Sequence, residues 1–197
     1  MIKKRIRLLL NKNFWREKWR FVSALVGAFA IAGVVIFLVV QSQQNIGARI
    51  AGEQIGNLAT NIRTKYGARL DFWGLNTREV IRKRLFPAGM RPEGDILIGY
   101  FNNPVEIGAD ESGATVMPTV RQFAIAFNDL NQEQCSSLAS FDFEQKFWLG
   151  VVKMSIVNEQ VSQDFNWGAK EFGLPAKKKE TKNLCQNKRN SVVFYFE

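Results

Sequence analysis

Hydrophobic and polar positions divide the chain into unequal stretches. Phe21 to Val40 is a run of 20 residues without a charge, and Ser23 carries its only polar side chain. At about 1.5 Å rise per residue, such a run spans the roughly 30 Å hydrocarbon core of a bilayer, with every backbone group satisfied inside a helix. A polar patch follows at 41–45. Apolar positions then recur at Ile46, Ile50, Ile55, Leu58, Ile62 and Tyr66, mostly three or four apart, which predicts one buried stripe of an amphipathic helix closing at Tyr66, with Gly67 as its stop. A single helix from 21 to 66 would be roughly 70 Å long, its second half needing a domain to pack against.

From residue 68 the pattern changes. Turn signals crowd in at Phe86–Gly89, Arg91–Gly94, Asn102–Pro104 and Asp110–Gly113. Between them lie short strand-like runs: Asp95–Phe101, Val105–Gly108, Arg121–Phe127, Lys146–Val157 and Ser191–Phe196. In Arg121–Phe127 one face presents Phe123, Ile125 and Phe127, while Ala124 and Ala126 suit a second face crowded by a helix. Thr77 is placed to cap a short helix ending before Pro87, and Asn131 another carrying Cys135, Leu138 and Ala139. The fold class is α+β, with an antiparallel sheet packed on the second half of the long helix. The chain then divides into a basic segment at 1–20, a transmembrane helix at 21–40, its continuation at 41–67 and a head domain at 68–197.

Charge fixes the topology. The chain carries 27 Lys+Arg, 18 Asp+Glu and a net charge of +9. Lys3, Lys4, Arg5, Arg7, Lys12, Arg16, Lys18 and Arg20 stand against Glu17 alone in the first twenty residues, giving +7 there and +2 in everything else. With only Arg49 and Glu53 in the twenty residues after the run, the positive-inside rule puts the N-terminus in the cytoplasm and the rest across the membrane. Ile2, Ile6, Leu9, Leu10 and Phe14 fall near one helical face, so this segment reads either as a helix on the inner leaflet or as a disordered topogenic tail. A secretory signal has an apolar region of only about 7–15 residues, so an uncleaved anchor is favoured. Within the run, Ala24, Gly27, Ala28, Ala32 and Gly33 have the small-residue spacing that lets helices approach closely, although such residues are common in membrane segments in any case.

The chemistry is sparse. Absence of His removes Ser-His-Asp, Cys-His and His-ligated zinc schemes. The acids Asp95, Glu106, Asp110, Glu111, Asp129, Asp142 and Glu144 show no spacing that implies a catalytic pair, and neither a phosphate loop nor a dinucleotide fingerprint is present. No enzyme activity, cofactor, metal or small-molecule substrate is expected. Two cysteines on the translocated side read as a disulfide, Cys135–Cys185, the alternative being two buried thiols. Ala176–Lys182, with Trp167 and Phe172 upstream, has the composition of a basic loop that could take nucleic acid, but a charge run is more usually a solvated loop, and Glu180 dilutes this one.

Taken together the sequence resembles type IVb pilins, particularly PilS-like pilins of conjugative and thin pili. The resemblance is carried by Asn61–Gly67 as the close of the first helix, by Leu75-Asn76-Thr77 and Val80–Met90 as the next helix and its Pro turn, and by Phe123–Phe127 with Leu130, Cys135 and Leu138. Leu184-Cys185 and Ser191–Phe196 match the terminal disulfide and last strand. The resemblance departs at the processing site. Family prepilins carry Gly before the cleavage point and Glu at the fifth mature position, whereas here Arg20 precedes Phe21, and Leu25 stands in the Glu position. Gly27, with Ala28 and Ala32 after it, fits no better. The expectation is a pilin-like inner-membrane protein with a periplasmic head, not processed, that partners other pilin-like or secretion-apparatus subunits. The alternatives are a polymerising fibre subunit and a nucleic-acid-binding minor pilin.

Overall fold

The structure is a computed structural model that describes residues 12–67, 71–110, 121–142, 150–186 and 189–197. It divides into two units, residues 1–43 and 44–197. One helix, α1 (Lys12–Tyr66), contributes to both. Among the described residues no helix is long and apolar enough to cross a membrane; within 21–40, burial is described for Val26 and 29–35 alone.

In the larger unit α1 buries Ala48, Ala51, Ile55, Leu58, Ala59, Ile62 and Tyr66. This stripe is the expected one from Ile55 onward but not before it. Ile46 is 45% exposed and Ile50 is half-buried. The reason is angular: at about 100° per residue, Ile46 lies about 180° around the helix from Ile55, and Ile50 about 140°. Alanines at 48 and 51 take the buried positions instead. The helix closes at Tyr66 as predicted, but Gly67 does not adopt a left-handed φ.

The remaining elements are α2 (Thr77–Arg82), β1 (Arg91–Glu93), β2 (Ile96–Ile98), β3 (Pro104–Asp110), β4 (Gln122–Leu130), α3 (Gln132–Ala139), β5 (Val151–Val157), β6 (Ser162–Trp167), β7 (Gly173–Leu174), α4 (Lys178–Leu184) and β8 (Asn190–Phe196). The described strands join one sheet in the order β1-β2-β3-β4-β8-β5-β6-β7, antiparallel except for the β6–β7 pair. Strict alternation sends Phe123, Ile125 and Phe127 of β4, Val192, Phe194 and Phe196 of β8, and Met154 and Ile156 of β5 into one core with the α1 stripe. Phe123 stacks on Phe196 at 5.2 Å and meets Phe72 at 4.7 Å.

Several expectations are corrected in detail. The helix packs on the Phe123–Ile125–Phe127 face, while Ala124 and Ala126 lie half-buried on the opposite face beside Val193 and Tyr195. Asn76, not Thr77, caps α2, its Oδ1 accepting from Glu79 N at 3.0 Å; Thr77 Oγ1 instead accepts from Ile107 N at 2.9 Å, tying α2 to β3. The run Asp95–Phe101 yields a strand at Ile96–Ile98 only, because Gly99 to Asn103 form a turn with Asn102 at φ 58°. Arg121–Phe127 extends instead to Leu130 through a bulge at which Asp129 has φ 55°. Of Lys146–Val157, Val151–Val157 is strand, Gly150 has φ 59°, and 143–149 lie outside the described residues. The basic stretch at 176–182 is not a loop: from Lys178 it is α4.

Candidate functional site

Two constellations organise the head: the seam between α1 and the sheet, and the layer formed by α3, α4 and the start of β8. At the seam, small residues let aromatic rings approach the helix backbone. A Cβ on Gly52 would lie 2.5 Å from Phe141 Cε1, and one on Gly47 would lie 3.1 Å from Phe101 Cε1. Gln54, buried in the same stretch, accepts from Tyr100 N at 3.0 Å. One helical turn before the end of α1, Arg63 donates from Nε to the Glu197 carbonyl at 2.6 Å and from Nη2 to the Gly150 carbonyl at 3.3 Å. Its guanidinium lies over the rings of Phe123 and Phe196, at 5.9 and 5.6 Å. Burial lowers the Arg63 pKa, which the charge of Glu197 opposes. At the helix end Lys83 donates to Tyr66 Oη at 2.9 Å and pairs with Glu79 at 3.2 Å, while Arg82 pairs with Glu79 at 2.6 Å. Desolvation works against the Glu79 charge, but hydrogen bonds from Lys83 and Arg82 hold its carboxyl below the ordinary value. The hydrogen bond to Tyr66, then the one to Glu79, raises Lys83 despite some desolvation.

In the second constellation Cys135 and Cys185 form the expected disulfide, with Cα atoms 5.9 Å apart and a sequence separation of 50. Asn131 caps α3 in a capping box, as its position predicts. The bridge joins α3 to α4, and buried Thr181 reinforces it by donating to the Ser136 carbonyl at 3.2 Å. Asn190 is fully buried and donates to the carbonyls of Leu130 (3.0 Å) and Gln186 (2.7 Å) while accepting from Gln186 N (2.8 Å). Beside it an open concavity of about 710 Å³ is lined by Gln132, Gln160, Asn183, Gln186, Glu159 and Arg189 around Cys185.

The sequence-predicted residues divide accordingly. Cys135 and Cys185 meet. Lys3, Lys4, Arg5 and Arg7 lie outside the described residues. Lys12, Arg16, Lys18, Arg20, Ala24, Gly27 and Ala28 are helical in α1, with side chains outside the described set. Ala32 and Gly33 are exposed, and a Cβ at Gly33 would meet no atom within 4 Å. Of the residues proposed for stacking bases, Phe172 packs edge-on against Phe165 at 5.6 Å, and Trp167 donates its indole N–H to the Val151 carbonyl. Lys177 pairs with Glu180 at 3.7 Å. Asp95 is engaged by Arg78 at 2.7 Å. Among the described residues no group of three or more His, Cys, Asp or Glu could hold a metal ion. Sequence reasoning missed Gln54, Arg63, Thr181 and Asn190. Each is a polar residue in a polar-looking stretch, and only the tertiary contact reveals its role.

Comparison with known proteins identifies the fold these constellations belong to. The family model for bundlin matches residues 41–190, about three quarters of the chain. The chain belongs to the bundlin family. The match begins after the uncharged run, so membership rests on the head and the part of α1 packed into it. Among solved structures, the crystal structure of type IVb pilin from Salmonella typhi matches with a TM-score of 0.53 and 16% identity, over 75% of this chain and 97% of that one. At that identity the likeness shows the fold. The bundlin-family chain is thus a type IVb pilin-like protein, with the pilin α+β fold and its C-terminal disulfide. No curated protein matches it.

Proposed function

We propose that this type IVb pilin-like chain is a structural subunit anchored in a bacterial inner membrane by residues 21–40. Residues 1–20 are cytoplasmic, the head is periplasmic, and the chain is not processed by prepilin peptidase. It serves in an envelope machine such as a type IV pilus or a conjugation or secretion apparatus. One observation carries this reading. On α1, Val26, Phe29, Ile31, Val34 and Val35 are 53–72% exposed, in a run without a charge. Bare apolar side chains at this density need lipid or a neighbouring helix around them. Eight bases on one flank supply the orientation, and Arg20 with Leu25 supplies the reason for retention. Its partners are other pilin-like subunits.

Mass spectrometry of the protein from isolated membranes tests the proposal: the expected mass retains the first twenty residues, and their loss refutes the unprocessed state. The family match favours a second reading, a polymerising fibre subunit. Shearing cells distinguishes the two, since recovery in the fibre fraction establishes the second and retention in membranes the first.

A further inference from the structure

Gly47 follows Val40, the end of the uncharged run, by seven residues. Seven residues rise about 10 Å as a helix and cannot exceed about 25 Å fully extended. If 21–40 spans the bilayer, Gly47, about 10 Å further along the helix, lies near the outer edge of the headgroup layer. Two aromatic rings sit on this glycine: a Cβ there would lie 3.1 Å from Phe101 Cε1 and 3.4 Å from Tyr100 Cε1. The rings meet edge-to-face at 5.4 Å. Their backbone is held deeper in the head, where buried Gln54, seven residues further along α1, accepts from Tyr100 N at 3.0 Å. The rings thus reach back from that anchor toward the N-terminal end of the packed helix.

What they form there is only partly covered. Tyr100 is 44% exposed and neighbouring Ile46 45%. One arginine flanks them: Arg91, 62% exposed, pairs with Glu93 at 2.9 Å and donates to Asn102 Oδ1 beside Phe101. A phenol with an apolar body, an aliphatic side chain and a guanidinium group are the residue types that favour the water–hydrocarbon boundary, where rings sit at headgroup depth and cations meet anionic lipid.

We infer that this base of the head, Ile46, Tyr100 and Phe101 with Arg91 beside them, rests in the headgroup layer of the bilayer that α1 enters. The inference depends on the membrane-anchored reading above. It gives Gly47 a purpose: a side chain larger than a methyl there would crowd the two rings that lie 3.1 and 3.4 Å from its Cβ position.

The test uses the full chain reconstituted in vesicles of phosphatidylethanolamine and phosphatidylglycerol. An environment-sensitive fluorophore is attached through Tyr100→Cys, with Lys179→Cys on exposed α4 as the control, the native cysteines remaining in their disulfide. The expected result is blue-shifted emission at position 100, quenched several-fold more by nitroxide lipids labelled at shallow depth than by deep ones, and several-fold more than at position 179. Equal quenching at the two positions, in protein that resists alkaline carbonate extraction, overturns the inference while leaving the anchor intact. Extraction by carbonate overturns the anchor and the inference with it. A blue shift without lipid quenching that grows with the protein-to-lipid ratio assigns the patch to a second copy of the chain and also overturns it. Gly47→Val should lower the quenching at position 100 without releasing the protein from the vesicles; unchanged quenching in that variant counts against the role given to the rings.

Discussion

Substituting Gly52 by Ala sets two effects of opposite sign against each other. Ala in place of Gly within a helix stabilises by about 0.8–1.0 kcal/mol. Here, however, the new methyl would stand 2.5 Å from Phe141 Cε1, 2.9 Å from Cδ1 and 3.0 Å from Cζ, so the whole edge of a ring that packs against the core must retreat by about an ångström. Overpacking of this order costs about 1–3 kcal/mol. The net expectation is a loss of about 1 kcal/mol (range ~0–2). A fragment covering residues 44–197, which form their own compact unit, offers the assay through urea melts followed by near-ultraviolet circular dichroism. The decisive comparison is a double-mutant cycle. In a Phe141→Ala background the clash is absent, so Gly52→Ala should now stabilise, by up to about 1 kcal/mol, and the coupling between the two sites should reach about 1–3 kcal/mol. If Gly52→Ala stabilises equally in both backgrounds, Phe141 does not sit on the helix, and the account of why α1 keeps a glycine there is refuted.

Opening the disulfide with the paired substitutions Cys135→Ser and Cys185→Ser should lower stability by about 4 kcal/mol in the loop-entropy account for a sequence separation of 50, read as a fall in the urea midpoint; a change below about 1 kcal/mol would mean that α3 and α4 hold each other without it. The Tyr66–Lys83–Glu79 cluster makes a pH prediction. A Glu79 carboxyl held below its ordinary value contributes stability at neutral pH that is lost as pH falls through its folded pKa, and a raised Lys83 contributes stability lost only as pH rises through its own. The stability difference between the native chain and Glu79→Gln should therefore be flat between roughly pH 5 and 9 and shrink below about pH 4. A difference that grows in acid would contradict the cluster.

How much of this was legible in the sequence depended on whether a residue's role was periodic or tertiary. β4 and β8 were readable because Phe123, Ile125 and Phe127, and Val192, Phe194 and Phe196, alternate without exception. β6 was not, because Phe165 is its only buried residue and the rest of Ser162–Trp167 is polar or exposed. The helix at Lys178–Leu184 was hidden by its lysines, which looked like a solvated loop; buried Thr181 and the bond through Cys185 hold it in place, and neither leaves a pattern in sequence. The disulfide could be inferred from cysteine number and compartment alone. Arg63 could not be singled out, because a lone arginine near a helix end reads as a favourable charge until the sheet brings Gly150 and Glu197 to it. Gly47 and Gly52 gave no pattern to read either, because what they make room for is rings of the head.

The position of β8 has a consequence for biogenesis. It follows every other strand in the chain, yet it lies in the interior of the sheet, between β4 and β5. Until residues 190–196 have been made, β4 with its nine residues and β5 with its seven each present an open edge, and the halves of the sheet on either side have no hydrogen bonds joining them through it. A ribosome or translocation channel releasing this chain from its N-terminal end thus delivers the keystone last, leaving a vulnerable interval in which apolar edges such as Phe123–Phe127 can find the wrong strand. A premature stop before Asn190 would accordingly produce an aggregating species rather than a smaller pilin head.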